Sequence, residues 1–368
     1  MASTRKPLIR KIKIWRENLH LKRPYTISYQ TISSVENIFV YLEVQKGLYG
    51  IGSGSPADFI TGETMDMAES VLRKKLDELL LGKDIRLIRQ HCRALGQEMP
   101  HTPAARMAVD IALHDLLGKY DNIPLVDFLG RVHHAIPTSK TIGIKNDYKE
   151  MLEEADEHLA RGFKIIKLKI GKNVEKDIEF TTRLRKRIGK RIGLRVDANQ
   201  GYSPADLKKY VKHTSDLNIE LIEQPLHRSK LEQMRKIPPS IRKICAADEN
   251  IHSPVDALKL ASSPQLFGIF NIKLMKCGGL YPAMQIADIA HMAGIDLMWG
   301  CMDESIISIT AGLHVAFASP NTKYLDLDGS FDLARDIVSG GFILKDGFMM
   351  LPNRPGLGVK LLSNKNLD

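Results

Sequence analysis

Ile165-Ile166-Lys167-Leu168-Lys169-Ile170 is an apolar run broken only at alternate positions by lysine. Successive side chains of a strand leave on opposite faces, so both lysines share one face and Leu168 takes the other. The run reads as a buried strand carrying two ammonium groups on its inner side. Similar short apolar runs stand at Ser139–Ile144, Leu194–Val196, Glu220–Ile222, Ile244–Ala246, Ile269–Leu274, Asp296–Trp299 and Tyr324–Asp328. The first seven of these eight units each lead into a stretch of helical spacing. A strand–helix repeat of roughly 23–30 residues predicts an α/β fold, a modified (β/α)8 barrel over residues 131–328, rather than an open nucleotide-binding sheet.

Working outward, residues 1–130 read as an α+β unit that caps the barrel. Ile9–His20 and Glu36–Val44 alternate as strands do, and Glu63–Leu81, Asp84–Leu95 and Pro103–Tyr120 carry helical spacing. In the last of these, Ala104, Met107, Ala108, Ile111, Ala112 and Leu116 form one apolar stripe, expected to face a core. Residues 329–368 contain Gly340-Gly341 and Pro355-Gly356-Leu357-Gly358, and read as strands and turns that leave the barrel and return to the cap. Gly50-Ile51-Gly52-Ser53-Gly54 looks like half of a dinucleotide fingerprint, but Pro56 interrupts and no helix follows, so no cofactor is assigned there.

The 368 residues are 43% hydrophobic and 26% charged, the balance of a globular chain and not of a disordered or disulfide-scaffolded one. No apolar run is long enough for a membrane span, and the first residues lack the apolar core of a secretion signal. The net charge is +10, and residues 1–40 hold eight Lys/Arg against Glu17 and Glu36. No nucleic-acid motif accompanies this cluster, so it reads as a solvated basic face. The four cysteines form no CxxC pair, which fits reduced thiols in a cytoplasmic protein.

In a barrel, chemistry is expected where the strands end. Asp197, Glu223 and Asp248 close three consecutive strand units, each about one repeat from the next. Three acids on one rim repel one another, and an all-oxygen set without His or Cys favours Mg2+, with Mn2+ possible, over zinc. Lys167 and Lys169 share the second strand, and Lys273 stands on the sixth, across the mouth. A lysine acts as a base near neutral pH only if its pKa falls by about three units; a neighbouring ammonium, a divalent cation and burial all push that way. Opposed amines flanking a metal fit proton abstraction next to a carboxylate, one amine taking the proton and the other returning one to the opposite face.

These residues resemble the enolase superfamily, muconate-lactonising subgroup. Asp326-Leu327-Asp328, Asn271-Ile272-Lys273-Leu274-Met275-Lys276 and Asp197-Ala198-Asn199-Gln200-Gly201 look like its dipeptide epimerases, of the L-Ala-D/L-Glu epimerase kind. The resemblance implies a dipeptide substrate, Lys169 and Lys273 as the acid/base pair, and Lys167 assisting at the substrate carboxylate. It further implies Asp197, Glu223 and Asp248 as metal ligands, and Asp326 and Asp328 as the clamp on the free α-ammonium. A muconate cycloisomerase or o-succinylbenzoate synthase would share the lysines and metal without needing that clamp; a basic-surface binding protein would need neither. A homo-oligomer is expected, with segments 25–33 and 56–62 as lids. In Ala-Glu enzymes an arginine follows a Lys-Pro-Phe stretch; here the segment is Arg23-Pro24-Tyr25 with Gln30 at the arginine's place. An amide offers no counter-charge to a glutamate side chain, so a small neutral dipeptide, Ala-Ala or Ala-Xaa, is expected. Cys301-Met302-Asp303 lies at the seventh strand's end, where Asp303 is suited to a cationic or hydroxyl side chain or to capping a helix.

Overall fold

A computed structural model describes residues 6–22, 25–26, 31–32 and 34–362. Eight parallel strands run in sequence order around the centre: Ser139–Ile142, Ile165–Lys169, Gly193–Asp197, Ile219–Glu223, Cys245–Ala247, Ile269–Ile272, Asp296–Gly300 and Thr322–Asp326. A parallel bridge between Thr138 and Leu325 brings the last strand back to the first, and the Ser139 hydroxyl donates to the Leu325 carbonyl at 3.3 Å. The sheet is thus a nearly closed barrel, as the repeat predicts. One boundary differs. The sixth strand stops at Ile272, so Lys273 stands just past its end, at the start of the short helix Leu274–Cys277.

The outer helices begin where polar side chains take up free backbone N–H groups. Asp147 accepts from Lys149 N and Asn173 from Lys176 N, while Ser203 and Asp206 cap reciprocally. Asp147, Asn173 and Ser203 each start the helix that follows a strand, after the short loops that leave Ile142, Lys169 and Asp197. The ends are therefore collected at one mouth.

The cap unit is an antiparallel sheet of Lys11–Asn18, Glu36–Gln45 and Leu48–Gly54 against helices Met65–Leu80, Ile88–Glu98 and Pro103–Tyr120. The glycine run that looks like a fingerprint is the third strand of this sheet. A Cβ on Gly50, Gly52 or Gly54 would meet the carbonyl oxygens of Ala112, Ala108 and Ala104 at 2.1, 1.9 and 2.2 Å. Three alternate glycines let helix 103–120 lie directly on the strand, stepping by one helical turn per glycine. The helix is buried on nearly every side and not along one stripe, because the barrel covers its other face.

That second contact is polar. Asp110 accepts from Leu280 N at 2.8 Å and Tyr281 N at 3.2 Å, capping a barrel helix from within the cap unit. Cys92, Asp110 and His114 lie close enough together to suggest a metal site, but both Asp110 oxygens are committed to that helix start. Asp115, fully buried, holds Ile51 N at 3.0 Å and Leu357 N at 2.9 Å, joining the glycine strand to the C-terminal segment. Among the described residues, no helix is long and apolar enough to cross a membrane.

Glu63 caps helix 103–120, accepting from Ala104 N at 2.6 Å and Ala105 N at 3.0 Å. Burial outweighs those bonds and pushes its carboxyl up to about 7. A carboxyl raised on folding contributes stability below its unfolded pKa, and that contribution is lost as pH rises through the folded value, here over roughly pH 4.5–7. The loss amounts to about 3 kcal/mol. Urea midpoints of wild type and Glu63→Gln, measured from pH 5 to 7.5, should diverge because wild type alone loses this contribution. Parallel curves would refute the assignment.

Candidate active site

Register places the acids. Lys169 lies beside Asp197 and Asp197 beside Glu223 on adjoining strands, while Asp248 follows the end of the next strand at Ala247. The chain turns sharply after each of the first two. Asn199, Gln200 and Gln224 have φ of 40°, 69° and 33°, left-handed values that end the strand at the rim. The Gln224 amide then binds the loops together, donating to Leu226 O and Asn250 Oδ1 and accepting from Asp248 N at 2.9 Å.

Asp197 and Glu223 are fully buried and Asp248 is nearly so. Buried carboxylates at this spacing need cations, and lysines supply them. Lys169 Nζ lies 2.6 Å from Asp197 Oδ2 and 2.9 Å from Asn199 Oδ1. Lys273 Nζ lies 2.8 Å from Asp248 Oδ2, and Lys276 donates to the other Asp248 oxygen. Lys167 stands between, 2.7 Å from Glu223 Oε2, 3.4 Å from Asp197 Oδ2 and 2.5 Å from Asp326 Oδ2. Lys169 and Lys273 therefore serve opposite ends of the acid row, on strands four apart in an eight-stranded barrel.

The titration behaviour follows from burial and charge. Burial, then the Asp197 charge, pushes the Glu223 carboxyl up to about 8. Asp248 goes the other way: burial alone would raise it, but Lys273 and Lys276 hold it well below the usual range. Lys167 and Lys273 do not fall as the sequence reading expects. Burial pulls both down, yet the carboxylates in contact outweigh it and hold both ammoniums above the ordinary value.

Asp197 and Glu223 offer a donor pair suited to a hard divalent cation, with Asp248 next along the rim. Asp197 and Glu223 both reach the Lys167 ammonium, so they converge on one small volume. Among the described residues Glu223 Oε2 accepts no well-formed hydrogen bond, and Lys167 is its only ion-pair contact. A buried carboxylate oxygen of this kind is suited to a metal.

The acid row opens into a cavity of about 800 Å3. Lys167, Lys169, Lys273, Asp248, Cys301, Met302, Asp303, Asp326 and Asp328 all line it, as do Phe59 and Ile60 of the second expected lid segment. Gln30 lies outside the described residues; Tyr25 pairs with Ile32 through its backbone, and its side chain is likewise outside them. Asp326 is held by the Ser139 hydroxyl at 2.5 Å as well as by Lys167. Cys301 donates to the Asp326 carbonyl, and burial, then Asp328, keeps its thiol protonated. The Asp303 carbonyl accepts from Ser55 of the cap at 3.0 Å.

Several residues escape the sequence reading. Lys276 and Asn271 lie in a quoted motif without a role; the Asn271 amide donates to Glu223 Oε1 at 2.7 Å. The i, i+3 spacing of Lys276 from Lys273 carries that signal. Lys140 and Asp332 join the cavity wall, as do Glu150, Glu153, Glu154 and Glu157 of helix Tyr148–Ala160. Four glutamates on one helical face repel one another, a cost visible in sequence once the helix is placed.

Residues 9–130 match the mandelate racemase / muconate lactonizing enzyme N-terminal domain, and residues 150–365 the enolase C-terminal domain-like family. The L-Lys-D/L-Arg epimerase of Desulforapulum autotrophicum is 55% identical over 96% of this chain and 99% of its own length. The dipeptide epimerase of Methylococcus capsulatus, solved with Mg and L-Arg-D-Lys, superposes with a TM-score of 0.94 at 48% identity, covering 96% of this chain and 99% of that one. The Enterococcus faecalis dipeptide epimerase, solved with Mg and L-Leu-L-Tyr, superposes at 0.91 with 35% identity over 96% and 99%.

Lys276 is buried and doubles the positive charge on Asp248. Lys276→Met should lower stability by about 3 kcal/mol, since removing one partner of a buried pair leaves charge uncompensated. Lys276→Arg should recover part of it. An unchanged urea midpoint in Lys276→Met would mean that Lys273 suffices.

Proposed function

This chain belongs to the mandelate racemase and muconate-lactonizing enzyme family of the enolase superfamily and is an isomerase of its epimerase kind; on that premise we propose that it inverts the second-residue α-carbon of dipeptides, with Mg2+ held by Asp197, Glu223 and Asp248. The observation that carries the reading is the pair Lys169 and Lys273 at opposite ends of one buried acid row. Bound there, Mg2+ supplies positive charge to the substrate's terminal carboxylate.

The remaining work falls to the chain's own side chains. With the carboxylate seated over the acid row, the α-carbon lies between the two amines. One amine takes the proton from its side and the carbon becomes planar; the other returns a proton to the opposite side. Lys167, fixed by Glu223 and Asp326, keeps a positive charge beside the carboxylate as negative charge grows. Asp326 and Asp328 offer anions to the α-ammonium at the other end of the dipeptide.

The side chains accepted are a finer matter. A small neutral dipeptide follows from the sequence alone, because Gln30 lacks the charge a glutamate would need. The acid-rich mouth and the names of the related epimerases instead favour Lys- and Arg-containing dipeptides. Cavity-lining residues include ten Asp/Glu against seven Lys/Arg, in a chain whose net charge is +10. Among the described residues, no cation pairs with Glu150 or Glu153. Asp303 faces the same space.

In D2O with Mg2+, wild type should place deuterium at the second-residue α-carbon of L-Lys-L-Arg and invert it. Lys169→Arg and Lys273→Arg should each lose about 10²–10⁴-fold in epimerisation, while each still exchanges deuterium from one stereoisomer, the two variants serving opposite ones. Exchange from both stereoisomers in both variants would defeat the two-base reading, and no exchange in wild type would defeat the epimerase reading. Asp303→Asn should lower kcat/KM about tenfold for cationic dipeptides, about 1.4 kcal/mol, and leave Ala-Ala unaffected. Equal loss on both would remove Asp303 from specificity.

A further inference from the structure

Lys140 is a buried lysine that neither the metal nor the proton transfer requires. It sits on the first barrel strand, 4% exposed, with its ammonium in the cavity wall. Its Nζ lies 2.5 Å from Asp332 Oδ2 and 3.2 Å from Asp328 Oδ2. The backbone N–H of the next residue, Thr141, donates to the same Asp328 Oδ2 at 2.9 Å. Both contacts thus fall on one oxygen. Among the described residues, Asp328 Oδ1 has no hydrogen-bond partner, although the residue lines the cavity.

Asp326 differs. Its Oδ1 is taken by the Ser139 hydroxyl and its Oδ2 by Lys167, each at 2.5 Å. Among the described residues, Asp328 and not Asp326 presents an oxygen without a hydrogen-bond donor. Lys140, the only ion-pair partner of Asp328 among the described residues, is shared with Asp332, while Lys167 acts on Asp328 only from beyond contact and Arg161 stands 3.7 Å from Asp332.

We propose that Lys140 is a positioning residue for substrate binding: with Thr141 N–H it fixes Asp328 Oδ2, turning Oδ1 toward the cavity to receive the dipeptide's α-ammonium, and by bridging to Asp332 it anchors the segment after the eighth strand to the first. This rests on the dipeptide reading above. Without Lys140, Asp328 keeps one backbone donor and faces the like charge of Asp332, so the carboxylate is free to rotate away. The effect belongs to ground-state binding, since the ammonium lies remote from the reacting carbon.

The test is steady-state kinetics of Mg2+-dependent epimerisation of L-Lys-L-Arg by wild type, Lys140→Met, Lys140→Arg, Asp328→Asn and the Lys140→Met/Asp328→Asn double variant. Lys140→Met should raise KM about tenfold with kcat within about threefold, Lys140→Arg should recover most of the KM, and in the Asp328→Asn background Lys140→Met should add less than about twofold. An unmoved KM, a fall in kcat alone, or an equal KM penalty in both backgrounds would overturn the proposal. Lys140→Gln, which keeps a polar side chain of similar reach, gives the same comparison if the Met variant does not fold. Wild type that turns over dipeptides while Lys140→Met keeps its KM sinks this inference alone; wild type that does not turn them over sinks both readings.

Discussion

Asp197, Glu223 and Asp248 sit side by side at the barrel mouth almost without access to water, and their mutual repulsion is the constraint that the surrounding structure answers. A charged carboxylate cut off from solvent is tolerated only when cations or donors replace the lost hydration. Lys167, Lys169, Lys273, Lys276 and the Asn271 amide do so, each on a different oxygen or edge. The arrangement is polarised. Asp248, with two lysines, is held firmly ionised, whereas Glu223, between two acids, is driven toward its protonated form. A set of anions whose middle member is the least satisfied is suited to a further positive charge.

That row is kept in place by covalent neighbours more than by the acids themselves. Parallel register aligns Lys169, Asp197 and Glu223 across three strands, and left-handed residues end two of those strands immediately beyond the acids. The cap is joined to the barrel by carboxylates that face away from the mouth. Asp110 caps a barrel helix, and Asp115 ties the glycine strand to the C-terminal segment. The molecule thus spends one class of buried aspartate on rigidity and another on the site. The first class binds chiefly backbone N–H groups of distant segments, with Lys119 added at Asp115, and the second is gathered around the lysines of the mouth.

The barrel and the acid–lysine constellation were legible because both repeat. Strand period, helix period and the interval between carboxylates are one-dimensional quantities. What escaped was pairing between distant segments. Gly50, Gly52 and Gly54 look like half of a dinucleotide fingerprint and are given no role in its place, because their role, admitting the Ala112, Ala108 and Ala104 carbonyls, belongs to a helix some fifty residues on. Lys140 lies in the run Ser139–Ile144 and has no role in the sequence reading, because Asp328 and Asp332 reach it from the far end of the chain. The lysine pKa direction differs from the sequence expectation for a related reason: the sequence suggests which charges share a rim, but not which of them touch. Gln30 is an argument from an absent charge, and such an argument excludes a partner without naming the one accepted.

Charge placement across the whole molecule bears on that last point. The chain is strongly basic, yet its mouth is lined by more acids than bases. At physiological ionic strength fields between exposed charges fade over about 8 Å, so the basic surface neither attracts nor repels a small cation until it reaches the rim. Discrimination must therefore arise inside, where water is sparse and each unpaired carboxylate is costly. On helix 148–160 Lys145 already meets Glu154 at 2.6 Å, whereas among the described residues Glu150 and Glu153 have no ion-pair partner, and both line the mouth. A cationic side chain placed there would meet these carboxylates without displacing a partner, which is the electrostatic ground on which the proposed preference for cationic dipeptides rests.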